Sequence, residues 1–229
     1  MLRFLGRGSA FTDEHNCAYF VSDREMVLLD CPMGALAKLK KKDLASYSRI
    51  YVLITHPHGD HSSGLGMLVD YLYFIVKTPI TIVAPSGIVY DDLKYLLRNI
   101  EGCEDAWYEL ITADKLDKEW FGEAIPTTHA EQLAGKCFGY LLHVEEKNVV
   151  YTGDTNTLIP FEKHLSAGDL LYTEVSCHPS SVHLFCEDIK ETIGELTKKG
   201  VHVFLMHLDE EEKIERIMKG TGAKLAPLE

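Results

Sequence analysis

The stretch THPHGDH, residues 55–61, follows the apolar run RIYVLI directly and sets three histidines and an aspartate where a β-prone segment ends. Ligand-type side chains this concentrated constrain the fold, because a loop holds them still only when a buried sheet anchors its ends. His56 and His58 are two residues apart and can face one side of a turning chain. Gly59 lets the backbone bend, and Asp60 and His61 then face a second point. One loop can therefore serve two metal ions. Imidazole nitrogen and carboxylate oxygen suit zinc, with Mn2+ and Fe2+ the other ions such a set takes, and a catalytic ion keeps a position open for water. As uncoordinated groups, histidines this close would repel one another on protonation.

The same arrangement recurs along the chain. LRFLGRG, CAYFVSD and MVLLDC are expected to form an antiparallel meander, followed by the strand RIYVLIT. GLGMLVDYLYFIV has a helical apolar pattern and is expected to be a helix buried in the core. ITIVAP reads as a strand and DDLKYLLRNI as an amphipathic helix with an acidic first turn. EAIPTTH, CFGYLLHVEE, NVVYTGD, DLLYTEVS and VHVFLMH read as strands, and CEDIKETIGELTKKG as a helix closed by Gly200. Strand ends thus deliver His56, His129, Asp154, Glu174 and His207. With 229 residues and 46% hydrophobic content, residues 1–229 are expected to form one domain.

Composition narrows the partners. Lys and Arg total 23 against 35 Asp and Glu, a net charge of -12, so the surface repels a polyanion and argues against extended nucleic acid. No apolar stretch is long enough for a membrane span, and MLRFLGRGSAFT lacks the apolar core of a secretion signal. The six cysteines are scattered without a CxxC pair, as expected of reduced, buried thiols in a cytoplasmic protein. Monomer and homo-oligomer both remain open.

THPHGDHSSGL resembles the HxHxDH signature of the metallo-β-lactamase superfamily, and His129, Asp154 in YTGDT and His207 in LMHLD follow in that superfamily's order. The resemblance implies an α/β fold, a four-layer αββα sandwich of two mixed sheets with a binuclear site at one edge. It implies two divalent ions, zinc for preference. His56, His58 and His129 would hold one, Asp60, His61 and His207 the other, and Asp154 would bridge them. Two such ions roughly 3.5 to 4 Å apart can share a hydroxide and lower the pKa of bound water to about 7. Asp154 in the bridging position argues against a true β-lactamase, and Gly59 stands where the diiron flavoproteins place glutamate. The 22 residues after His207 are too few for the helical domain of glyoxalase II.

The fullest resemblance is to ribonuclease Z, a tRNA 3′-processing endonuclease. DLLYTEVS and SSVHLFCEDI resemble the segments carrying its glutamate–histidine acid pair, here Glu174 and His183. Asp60, Glu174 and His183 are thereby expected to act in the chemistry itself. Read from residue type alone, His183 could equally cap the helix starting near Phe185. The 24 residues between His129 and Asp154 leave no room for that family's tRNA-gripping arm. The expected function is a binuclear metal-dependent phosphodiesterase with a ribonuclease Z-like core, acting on a small or exposed phosphodiester such as a cyclic nucleotide, short oligonucleotide or RNA end. Two other readings stand beside it: a carboxylic ester, thioester or lactone hydrolase, and a non-enzymatic metal-binding protein.

Supporting residues are read as follows. Asp30 either holds the far nitrogen of a ligand histidine or shapes the turn before Pro32. Thr152 and Thr155 are expected to orient Asp154, and Ser62 or Ser63 to accept from amides of the following helix. Gly59, Gly64 and Gly153 are expected to let backbone approach the ions. His15 is a candidate substrate contact, whereas His143, His164, His178 and His202 read as ordinary loop or surface histidines.

Overall fold

The computed structural model describes residues 1–229 and arranges them as two six-stranded mixed sheets packed face to face. The first sheet holds, in spatial order, β1 (Arg3–Gly6), β2 (Cys17–Ser22), β3 (Glu25–Leu29), β4 (Arg49–Leu53), β5 (Ile80–Ala84) and β6 (Glu109–Thr112). The second holds β7 (Phe121–Pro126), β8 (Phe138–Val144), β9 (Lys147–Tyr151), β10 (Leu170–Glu174), β11 (His202–Met206) and β12 (Lys224–Leu225). Each sheet begins with two antiparallel pairings and continues with three parallel ones. The two halves of the chain share one topology without sharing sequence.

Interior strands read as unbroken apolar runs because both of their faces are covered. In β3, Val27 and Leu29 pack between the sheets with Tyr140, Tyr151 and Tyr172, while Met26 and Leu28 pack under helices. β4 divides the same way, with Tyr51 and Leu53 inward and Ile50 and Val52 outward. The first sheet is covered by α1 (Met33–Leu39), then, after the single turn α2 (Gly59–Ser62), by α3 (Leu65–Asp70) and α4 (Gly87–Tyr95). The second is covered by α5 (Ile159–Glu162), α6 (Cys186–Lys198) and α7 (Glu211–Ile217). In α6, Ile189, Ile193 and Leu196 form the buried stripe, and Glu187, Asp188 and Lys198 complement the helix dipole. Gly200, at φ 92, closes that helix as expected.

Several sequence expectations require correction. α4 begins at Gly87, where Ser86 accepts from the Val89 amide at 3.4 Å, so Asp91 and Asp92 lie mid-helix and not in its first turn. By residue type GIVY looks like more strand, and the cap at Ser86 decides otherwise. The segment after the histidine loop is helical but only its first part is buried: α3 passes into a π-helical turn, Tyr71–Val76, whose Tyr73, Phe74 and Ile75 are exposed. Tyr73 and Phe74 gather around Trp107, which no local periodicity could show. The elements α1, α5, α7, β6 and β12 escape sequence reading because none exceeds seven residues and each owes its order to docking on a sheet. All six cysteines are free and buried, and no helix is long and apolar enough to cross a membrane.

Candidate metal centre

The predicted residues meet at the edge where β4, β7, β9, β10 and β11 end. His56, His129 and Asp154 each lie three residues past a strand, Glu174 is the last residue of β10, and His207 follows β11 directly. His56, His58 and His129 bring one ring nitrogen each within 4.8 Å of one another, and Asp60, His61, Asp154 and His207 form a second such group. Asp154 joins the two. Its Oδ2 is 3.8 Å from Nε2 of both His56 and His129 and 3.4 Å from His207 Nε2, while Oδ1 is 3.4 Å from His61 Nε2. Asp60 Oδ2 lies 3.2 Å from Nε2 of both His61 and His207.

Local backbone makes this convergence achievable. Gly153 has φ 60, and a Cβ there would stand 2.7 Å from the Phe138 carbonyl and 2.9 Å from Thr55 Cβ. Only glycine lets the turn after β9 carry Asp154 against the turn after β4. Asp30 and His207 occupy the left-handed region despite carrying side chains, at φ 65 and 53. Such strain persists where surrounding contacts over-determine it.

Hydrogen bonds settle which nitrogens face the cluster. His61 Nδ1 lies 2.8 Å from Asp30 Oδ2, and His129 Nδ1 lies 2.7 Å from the Val182 carbonyl oxygen. Both partners only accept, so each Nδ1 carries a hydrogen and each Nε2 faces the cluster, where it can ligate once it bears no proton. Thr55 donates its hydroxyl to Asp30 and sits 3.0 Å from His56 Nδ1, which orients a third ring in the same way. The buried His61 Nε2 and Asp154 Oδ1 have no hydrogen-bond partner. A ring nitrogen and a carboxylate oxygen left unpartnered in a buried cluster of ligand-type side chains are what a divalent cation relieves, so these residues fit a metal.

The electrostatics agree. Burial holds His56, His58 and His129 below the usual histidine pKa, in the neutral form that ligates. Burial opposes charge on His61 as well, yet Asp154 and Asp30 push it well above its ordinary value. Burial also works against ionised Asp60 and Asp154, but His207 and His61 keep both below the usual carboxylate range. The pocket draws positive charge to its centre.

Beside the cluster, fully buried Glu174 accepts from His183 Nδ1 at 2.9 and 3.0 Å and from the Thr155 amide at 2.6 Å. The His183 ring centroid is 4.8 Å from that of His129 and 5.4 Å from that of His207. Burial disfavours its charge, but Glu174 raises the His183 pKa to about 9. The capping alternative for His183 is overturned: Phe185 is the N-cap of α6, and the His183 side chain turns to Glu174.

The sequence profile of the Anti-Pycsar protein Apyc1 family matches residues 1–224. The chain belongs to that family. The Anti-Pycsar protein Apyc1 of Bacillus phage BSP38 is 26% identical over 231 residues, covering 90% of this chain and 88% of its own. Ribonuclease Z of Aeropyrum pernix is 30% identical over 119 residues, covering 49% of this chain and 37% of its own. The chain spans about half or less of the length of the ribonuclease Z relatives it matches there. The metallo-β-lactamase fold protein YhfI from Bacillus subtilis superposes with a TM-score of 0.77 at 18% identity, covering 99% of this chain and 95% of that one. The fold is the metallo-β-lactamase sandwich.

In this Apyc1-family chain the supporting residues differ in part from expectation. Asp30 takes the first of its two readings, holding His61 while accepting from the Thr55 amide at 2.8 Å. Thr55 is a residue the sequence did not single out, although its place directly before HPHGDH was a signal. Thr152 and Thr155 serve Glu174 and not Asp154: the Glu174 amide donates to Thr152 Oγ1, and the Thr155 hydroxyl turns away to the Thr157 carbonyl. Ser62 donates to the Pro57 and His58 carbonyls, and Ser63 accepts from the Met33 amide of α1. Gly59 faces open space, and Gly64 is needed for packing on the Pro32 carbonyl, 2.7 Å from where its Cβ would be. His15, His143, His164, His178 and His202 lie outside this cluster.

Proposed function

We propose that this chain is a metal-dependent phosphodiesterase that hydrolyses a small, singly charged phosphodiester, with a cyclic nucleotide as the substrate class. The observation that carries the reading is the buried Glu174 bound to His183 at the rim of the histidine–aspartate cluster. In this reading His56, His58 and His129 hold one divalent ion, Asp60, His61 and His207 a second, and Asp154 spans both. The donor types favour zinc. When bound, the ions supply an activated water and neutralise charge on the phosphoryl oxygens.

His183 completes the reaction. Water adds to phosphorus, one ester P–O bond breaks, and the leaving oxygen needs a proton. With Nδ1 held by Glu174, His183 presents Nε2–H as the donor, and a pKa of about 9 keeps it charged near neutrality. A cyclic nucleotide carries one negative charge and suits a chain of net charge -12 better than a polyanion does. Between His129 and β8 the chain makes only the short turn Glu131–Leu133, consistent with a small substrate. Membership of the Anti-Pycsar protein Apyc1 family also favours this class.

The test pairs metal analysis with assays on a 3′,5′-cyclic nucleotide and on a p-nitrophenyl carboxylic ester. Two ions per chain are expected, with cyclic nucleotide cleavage that falls about 10² to 10⁴ in His183→Ala while both ions stay bound. Ester cleavage alone, indifferent to His183→Ala, would make the protein a carbonyl hydrolase instead.

A further inference from the structure

Phe11 is the most exposed large apolar residue of the chain, at 102% relative accessibility. It does not sit on a loose loop. The Leu208 amide donates to the Arg7 carbonyl at 2.8 Å and the Ser9 amide to the Leu208 carbonyl at 2.9 Å, which ties the segment to the neighbour of His207. The Gly8 amide donates to the Glu14 carbonyl at 2.8 Å, and the Thr12 amide and hydroxyl both donate to the Ser9 carbonyl, at 3.1 and 2.8 Å. Residues 9–12 therefore form a tight turn with Phe11 at its tip. A side chain on Gly8 would meet the Glu14 carbonyl at 2.6 Å, so the fold-back itself demands glycine.

The turn stands at the catalytic edge. β1 runs antiparallel to β2, β2 antiparallel to β3, and β3 parallel to β4, so β1 ends at the same edge as β4, which carries His56. Phe11 lies two residues beyond Ser9, at most about 7 Å along the chain. The turn is thereby anchored at Leu208, the residue after His207.

Leaving a phenylalanine in water on a rigid turn forgoes the stabilisation its burial would bring. A ligand that covers the ring would recover it. Along the chain its neighbours Ser9, Ala10, Thr12, Asp13 and Glu14 are small or polar, so the turn itself presents one aromatic ring. A single aromatic face beside a phosphodiester site matches one planar base, because every base offers a π-face to stack on.

We propose that Phe11 is a base-binding residue, stacking on the nucleobase of the substrate while its phosphate occupies the metal centre. This rests on the cyclic nucleotide reading above. The test compares wild type, Phe11→Ala and Phe11→Trp on a 3′,5′-cyclic nucleotide and on its abasic analogue, in which hydrogen replaces the base. The preference for the cyclic nucleotide, as a ratio of kcat/KM values, is expected to fall about 5- to 150-fold in Phe11→Ala, mainly through KM, and to return in Phe11→Trp. An unchanged ratio, or equal losses on both substrates, overturns the assignment. Sedimentation is measured on the same samples: a smaller species in Phe11→Ala with the ratio intact would make Phe11 a contact to a second copy and also overturn it. Wild type that cleaves no cyclic nucleotide would remove the functional reading and this one together. Cleavage with an unchanged ratio removes this one alone.

Discussion

Asp30 is fully buried, and its carboxylate accepts from His61 and twice from Thr55, which in turn orients His56. One side chain thereby sets two of the rings in the proposed metal centre. Partners of this kind typically govern metal affinity by 10- to 100-fold, so Asp30→Ala is expected to weaken metal binding by about that factor in competition with a chelating dye. Glu174 acts on His183 by charge. The His183 proton is present below a pKa of about 9 and is lost as pH rises through it, so the rate should fall on that alkaline side. Glu174→Gln removes the charge that raises this pKa and should move the alkaline limb of the kcat/KM profile to lower pH. An unmoved limb would show that His183 is not the acid. At this scale the sequence is legible for side chains that follow strands, but the choice between readings of Asp30 and His183 turned on partners 31 and 9 residues away.

The turns after the strands decide whether the site exists. In Gly153→Ala the new Cβ would press on the Phe138 carbonyl in a left-handed backbone, and Asp154, the residue shared by both groups, would shift with it. The expected result is a folded protein by circular dichroism with reduced metal content. Ile193→Ala in α6 is the contrasting case: it opens a cavity in a fully buried position far from the strand ends. It should cost about 2 to 5 kcal/mol in urea titration while leaving metal stoichiometry unchanged. Interior strands such as β3 and β4 declare themselves in sequence because both faces are apolar. α1, α7 and β12 do not, because a short element has no period long enough to read and is ordered by what it docks on.

Across the whole molecule, the loop of His56, His58, Asp60 and His61 comes from the first sheet, whereas His129, Asp154 and His207 come from the second. A bound ion would tie the two sheets at one edge. Removing it leaves Asp60 and Asp154 without their cation and their neighbouring imidazoles crowded together. Chelation should therefore lower Tm and speed amide exchange at the ends of β4 and β9, with zinc restoring both. A ligand at 100 times its Kd contributes about 2.7 kcal/mol. The sequence by itself determined which residue types would gather, and in what order, because histidines and aspartates at successive strand ends are a pattern that survives in one dimension. Only the tertiary structure decided which nitrogen faces which carboxylate, that Thr152 and Thr155 attend Glu174, and that Phe11 stands uncovered. Those outcomes depend on contacts such as His207 with Asp60, 147 residues apart, whose geometry is set by the packing of two sheets and by no local pattern.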